Sequence, residues 1–400
     1  MLSNRLSALA RPSASYQGVA LVAPVTFGYQ RYSDHGASWF IGRTLAEMIE
    51  AIGIQKHHVD GLAVTSFSLV PDSVVMLADQ FNMSPRWIEQ ITSAGANGPI
   101  MARRAARAVQ SADAEIVACI SAGVSRPGGF RDVAARFSRD TIDSVYPYGA
   151  PGPNGVFAMM TRYYMQRFKV TREDFGRICI AQRENARHVP HALMQKPMSM
   201  EDYLQARPIA EPLHLFDCVM PCAGAEGFLV MTEERARSLQ LPYAVILAAD
   251  ERHNAYFEDE IQIRGGWASF SEQLYVDAGL GPGDMDFLQC YDDYPVIVMQ
   301  QLEDLGFCDK GEGASFVRET PLTWNGGGLP TNTSGGQLSA GQAGAAGGAL
   351  GMVEGIRQLT KTDLDNHVTG GEVGLVSGYG MASYNHCLAT SATIIARGPR

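Results

Sequence analysis

The strongest constraint on this chain is that one order of elements occurs in it twice. Residues 18–28, GVALVAPVTFG, are an apolar, β-rich run closed by glycine, and a helix-periodic stretch follows at 38–52. Residues 59–67 form a second buried-strand candidate. The segment ITSAGANGPIMARRAARAVQS then opens a helix with small residues, and 114–123 is a strand that stops at glycine. From Tyr243 the grammar starts again. YAVILAAD is a strand, 271–279 is helix-like, DMDFLQCYDDY is a strand running into a turn, and 295–305 is a helix with Pro in its first turn. NTSGGQLSAGQAGAAGG leads into a helix ending near Leu359, and 372–380 is a strand ending in glycine. Each half thus has a small-residue segment opening a helix just before a glycine-ended strand, which implies an internal duplication of about 150 to 200 residues. The fold class that follows is α/β, with buried strands in layers. The halves are read as 1–242 and 243–400. Residues of about 125–235, rich in Arg, Met, Tyr, Pro and His without strand periodicity, read as a loop-domain insertion over one face, where specificity usually resides.

A net charge of −10 argues against nucleic acid or an anionic membrane as partner, since both call for clustered Lys and Arg. No run approaches the roughly 18 apolar residues of a membrane span. Residues 1–16 carry Arg5 and Arg11 and no continuous apolar stretch, so a short tail is preferred to a transit peptide and a cytoplasmic location is expected. Seven scattered cysteines fit reduced thiols. Cys218 and Cys222 lie in a CxxxC, but no second ligand pair follows, so no metal is expected. No P-loop or dinucleotide fingerprint is present, and no redox cofactor is expected either.

The segments now quoted resemble the thiolase superfamily, in its branch of sterol-carrier-protein-type thiolases and thiolase-like lipid-transfer proteins. NTSGGQLSAGQAGAAG, residues 332–347, looks like the family's NPSGG followed by GHPxGATG. DCVMPCAGAEGFLVMTEERA, residues 217–236, resembles the stretch around DGAAA. The helix after GANG matches the nucleophile helix, and SGYGMA from Ser377 matches the C-terminal glycine loop. The resemblance implies a five-layered αβαβα sandwich built from the two halves, and a homodimer.

The departures from the family carry the functional reading. Aligned on ITSAGANGP, the family's nucleophilic cysteine falls at Gly95, followed by Ala96, Asn97 and Gly98, so no thiolate forms there. The family's GHP histidine is Gln342, and its second acid/base residue falls near Leu375 and Val376, both apolar. Cys387 and His386 lie beyond the glycine loop and are read as structural. The segment HDxF or NEAF becomes Tyr291, Asp292, Asp293 and Tyr294, with the two tyrosines at i and i+3 on one side of a helix start. Two phenols beside two carboxylates make a proton-transfer cluster. Otherwise Tyr294 packs in the core and the aspartates cap the following helix.

This pattern looks like the cysteine-less thiolase-like aldolases, which split β-hydroxyacyl-CoA esters by retro-aldol cleavage, as in bacterial degradation of steroid side chains. That reaction needs a base for the β-hydroxyl proton and donors for a thioester enolate, and no covalent acyl carrier. The catalytic candidates are Tyr294, Tyr291, Tyr379, Asp292 and Gln342; the residues alone leave a tyrosine or a carboxylate open as the base, and the resemblance to this branch implies a tyrosine as the acid/base residue. Backbone at Gly95, Asn97, Gly98, Ser334, Gly335, Gly341 and Gly380 is expected to meet the CoA thioester, which is substrate and not cofactor. His188, His191, Met194, Met198 and Met200 are candidates for an acyl tunnel. The branch implies a small zinc-ribbon/OB-fold partner of the DUF35 type. Two other readings are an acyltransferase using Ser93 or Cys387, and a non-catalytic CoA-ester-binding scaffold.

Overall fold

A computed structural model describes residues 15–129, 138–139, 141–149, 152–361 and 364–399. The N-terminal tail lies outside them up to residue 14. The strands are β1 Val19–Gln30, β2 Gly61–Thr65, β3 Trp87–Gln90, β4 Ile116–Gly123, β5 Pro208–Ala210, β6 Leu213–His214, β7 Ala223–Thr232, β8 Ala244–His253, β9 Phe287–Gln289, β10 Val373–Ala382 and β11 Cys387–Arg397. The helices are α1 Ala37–Ile52, α2 Val74–Gln80, α3 Asn97–Gln110, α4 Pro153–Phe168, α5 Arg172–Ala186, α6 Met200–Leu204, α7 Glu233–Ser238, α8 Ser271–Ala278, α9 Pro295–Asp304, α10 Gly313–Glu319, α11 Gly336–Ser339 and α12 Gly347–Thr360. None of them is long and apolar enough to cross a membrane.

The duplication appears in how the strands pair. In the first half β1 runs antiparallel to β7, β7 antiparallel to β4, and β4 parallel to β2, with β3 parallel at the edge. The second half repeats the scheme: β8 antiparallel to β11, β11 antiparallel to β10, and β10 parallel to β9. The halves join through β1 and β8, whose ladder holds the single pair Leu21 and Ala244. Backbone pairing therefore contributes little to their union, and side chains carry it.

Those side chains belong to α3 and α12. Ile100, Met101 and Ala105 of α3 and Met352, Val353 and Ile356 of α12 share one buried cluster with Val117 and Val230 of the first half and Ile246, Val376 and Ile395 of the second. Alanines along α3 let both sheets approach closely, while Arg103, Arg104 and Arg107 stay on its accessible side. Helices α1 and α2 cover the far face of the first half. Helices α4, α5, α8 and α9 cover the far face of the second. Helix, sheet, helix, sheet, helix is the resulting five-layered order.

The insertion ends earlier than the sequence suggests. AGAEGFLVMT is β7, a fully buried strand between β4 and β1, so the insertion closes before Ala223 and not near 235. Two glycines and a glutamate disguise that strand. Glu226 is fully buried and accepts from Thr26 Oγ1 at 2.8 Å. Arg357 of α12 donates to the same Thr26 oxygen at 2.8 Å and pairs with Glu354 at 2.6 Å. Glu354 also accepts from Thr333, Gln358 and Asn366. This network ties β1, β7 and α12 together below the apolar layer.

Burial pushes the Glu226 carboxyl up to about 8, against the pull of Arg357 and Thr26. The folded chain thus keeps a proton that the unfolded chain has released. The stabilisation is complete below the ordinary glutamate range and is lost as pH rises through about 8. Urea midpoints should therefore fall between about pH 5 and pH 8, and Glu226→Gln should reduce that slope by up to one proton. An unchanged slope in the variant would refute the assignment.

Candidate active site

The segment that follows β9 is held by one glutamine. Gln301 of α9 accepts from Tyr291 N at 3.2 Å and donates to Tyr291 O at 2.7 Å, and Ser377 of β10 donates to its oxygen at 2.7 Å. The chain bends at Asp293 and Tyr294, Tyr294 itself having φ −144° and ψ 146°, and the helix begins only at Pro295. Tyr291 and Tyr294 are thus not helical neighbours at i and i+3. Tyr379 of β10 and Phe157 of α4 join them instead. The Tyr291 and Tyr379 rings are near-parallel with centroids 6.3 Å apart, Phe157 lies 5.9 Å from Tyr379, and Phe157 stacks on Tyr294 at 4.3 Å. Tyr294 donates its hydroxyl to Asn154 Oδ1 at 2.6 Å.

The two aspartates face different surroundings. Asp292 is buried and accepts from Gln337 N at 2.9 Å and Leu338 N at 3.2 Å, so it caps α11. A Cβ on Gly336, which has φ +57°, would collide with its carboxylate. The helix it caps is remote in sequence, not the next one. Asp293 is only partly buried. Gln342 Nε2 donates to Asp293 Oδ1 at 2.6 Å, and the Tyr291 phenol lies within hydrogen-bonding reach of the same carboxylate. Burial pushes Asp293 up to about 7, countered by Tyr291, while Asp292 adds to the rise. Burial also drives the phenols of Tyr291, Tyr294 and Tyr379 well above the ordinary tyrosine range, and Asp293 adds to each. All three phenols are therefore protonated at neutral pH.

Gly95 sits against this cluster. A Cβ there would overlap the Tyr291 ring and the Tyr379 carbonyl oxygen, so the ring fills the space that a side chain at 95 would need. The other glycines and small residues expected to face a thioester are used for packing. Gly98 abuts the Gly348 carbonyl, and a Cβ on Gly380 would overlap the Ser93 carbonyl. Asn97 is fully buried and donates to the carbonyls of Ala94 and, at 2.7 Å, Ala345, pinning the start of α3 to the start of α12. Gly335 packs on Ala186, Gly341 lies 3.0 Å from Cys222 Sγ by its would-be Cβ, and Ser334 is buried. The small residues of 341–348 thus let two helix ends meet.

Similarity to known proteins agrees with this arrangement. The thiolase C-terminal domain-like family matches residues 248–393. A steroid side-chain-cleaving aldolase of Thermomonospora curvata is 32% identical over 337 residues, 80% of this chain and 84% of the relative. A 17-hydroxy-3-oxo-4-pregnene-20-carboxyl-CoA lyase of Mycobacterium tuberculosis is 33% identical over 341 residues, 81% of this chain and 86% of the relative. This chain belongs to the thiolase superfamily, in its aldolase branch. The solved Ltp2-ChsH2(DUF35) aldolase superposes with a TM-score of 0.82 at 28% identity, covering 96% of this chain and 99% of that one. The protein is a carbon–carbon lyase.

In this thiolase-like aldolase the alternative nucleophiles lack activation. Burial raises the Cys387 thiol to about 12, and the thiol donates to Ala389 O at 2.9 Å. His386 bonds Asn385 at 2.7 Å and Asn254 at 2.9 Å, away from the thiol. Ser93 Oγ has no hydrogen-bond partner among the described residues. Of the insertion's candidates, Met198 is buried in the core, Met200 packs against that core, and Met194 Sδ lies 3.7 Å from Arg183. His188 packs on Trp324, and His191 lies 5.7 Å from Tyr29, beside the Glu226 network. Sequence reasoning missed Gln301, Asn154 and Phe157, which lie far from the motif and carry no signature.

Gly95→Cys should not yield a thiolase. We expect loss of about 1–3 kcal/mol from overpacking and no CoA-dependent cleavage of β-ketoacyl-CoA, read by calorimetry and mass spectrometry. Asp292→Ala should cost a similar 1–3 kcal/mol by leaving two helix N–H groups unpaired, seen as a lowered urea midpoint.

Proposed function

We propose that the protein catalyses retro-aldol cleavage of a β-hydroxyacyl-CoA of the steroid side-chain type, giving a ketone or aldehyde and acetyl- or propionyl-CoA. The observation that carries this reading is the Tyr291 ring occupying the nucleophile's place, beside the Asp293 and Gln342 pair. A thiolytic route needs a covalent acyl carrier at 95. A retro-aldol route needs only proton transfer and enolate stabilisation, and a cluster of protonated phenols suits the second task. In this reading Tyr291, Tyr294 and Tyr379 act as the acid side, hydrogen-bonding the thioester oxygen and returning a proton to Cα. The N-termini of α3 and α12, which meet at Asn97, add a positive dipole field near the developing enolate. The names of the two relatives support the steroid CoA ester as substrate class.

The same reading includes partners and place. The Ltp2-ChsH2(DUF35) aldolase supports a small zinc-ribbon/OB-fold subunit as partner. The open edge strand β3, with Arg104 and Glu89 paired beside it at 2.5 Å, supports pairing with a second copy of the chain. CoA thioester turnover suits the cytoplasm.

The test is incubation of the protein and its zinc-ribbon partner with β-hydroxyacyl- and β-ketoacyl-CoA esters plus free CoA, followed by mass spectrometry. Cleavage of the hydroxy esters without consumption of CoA is expected, and CoA-dependent cleavage of the keto esters would overturn the reading. Tyr291→Phe and Tyr294→Phe should each lower kcat by about 10²-fold or more.

A further inference from the structure

The insertion meets the tyrosine cluster through one face of α4. We infer that Asn154 is a positioning residue for the lyase reaction. It holds the Tyr294 hydroxyl while that oxygen carries its proton and, after a half-turn of its amide, donates to the same oxygen when the proton is away. This assignment rests on the reading given under Proposed function, in which the Tyr294 phenol gives and regains a proton.

Asn154 and Phe157 stand three residues apart on α4, so they share one side of its first turns. Both reach Tyr294. Phe157 stacks on its ring with centroids 4.3 Å apart, and Asn154 Oδ1 accepts from its hydroxyl at 2.6 Å. The Tyr294 ring is buried, and a single helix fixes both its face and its tip. Pro153 opens that helix, where its preset φ costs no hydrogen bond, so residue 154 is held at a defined place from the first turn.

The partner that each phenol has decides how well it tolerates a charge. The Tyr379 hydroxyl has no hydrogen-bond partner among the described residues. Tyr291 stands beside Asp293, whose charge opposes a phenolate. Around Tyr294, burial acts first, and Cys218 and Asp293 push in the same direction, towards the neutral phenol. Asn154 supplies the group that can act the other way. A carboxamide carries an acceptor oxygen and two N–H donors on one plane, so it matches a phenol in one orientation and a phenolate in the other. Among the described residues the Tyr294 bond is the one hydrogen bond of this side chain, which leaves the amide free to turn. An N–H bond to an ionised oxygen is stronger than one between neutral groups, so it favours the state in which the proton has moved. The role is the same whichever way the proton travels, because the Tyr294 oxygen bears the charge on one side of the transfer.

The test is a double-mutant cycle on the full chain with its partner, with a β-hydroxyacyl-CoA ester as substrate. Asn154→Ala should lower kcat by about 10- to 100-fold, the range of a hydrogen bond to a charged group, and leave KM within about twofold. In a Tyr294→Phe background the same substitution should change kcat by less than about twofold, since no hydroxyl remains for the amide to serve. Asn154→Asp keeps the shape and the acceptor and lacks the N–H, so above the carboxylate range it should lose as much as Asn154→Ala. This isosteric variant keeps the test readable if the alanine variant folds poorly. An equal loss of kcat in both backgrounds, wild-type kcat in Asn154→Asp, or an effect confined to KM would overturn the inference. Failure of the wild type to cleave any hydroxy ester would instead count against the aldolase reading itself.

Discussion

The rest of the molecule depends on two helix ends pressed together at its centre. α3 and α12 meet where Gly98 abuts Gly348 and where Asn97 bridges to Ala345, and no larger residue at those glycines leaves the approach intact. This contact sets the distance between the two sheets, because each helix packs on both of them. It also places both N-termini, with their unpaired amides and partial positive charge, at one point. The tyrosine cluster is assembled against that point from three sources: the segment after β9, the end of β10, and α4.

Within that frame, charge is managed by burial more than by pairing. Glu226 and Asp293 have their pKa values raised to about 8 and about 7, mainly because each sits in a poorly hydrated place. The two outcomes differ by accessibility. Glu226 is sealed between β1 and α12, whereas the Asp293 residue is only partly buried and accepts from Gln342. Asp292, one residue away, shows a third use of a buried carboxylate, as the cap of a four-residue helix.

Much of this was legible in the sequence, and the reasons are physical. Strands such as IVACISAG are buried on both faces, so their apolar character is continuous and their glycine ends are visible. The two central helices are preceded by small residues because close packing leaves a compositional trace. Backbone that meets a CoA thioester would leave the same trace, and spacing alone does not separate that from a helix contact. The β7 strand was hidden because its buried glutamate is compensated by Thr26, 200 residues away in sequence. The choice between Asp292 and Asp293 was hidden for the same reason. The chain bends at Asp293, and the partner each aspartate meets depends on Gln301, Gln337 and Gln342 from three other places in the chain.

The interlock of Gly95 with Tyr291 has an evolutionary side. The ring occupies the volume that a nucleophilic side chain at 95 requires, so the two positions are alternatives for one space. A lineage that has acquired the tyrosine cannot regain a cysteine by a single substitution without passing through an overpacked intermediate, and losing the tyrosine first empties the aldolase site. The loss of the nucleophile is thus held in place by volume, like a ratchet, independently of any selection for the new chemistry.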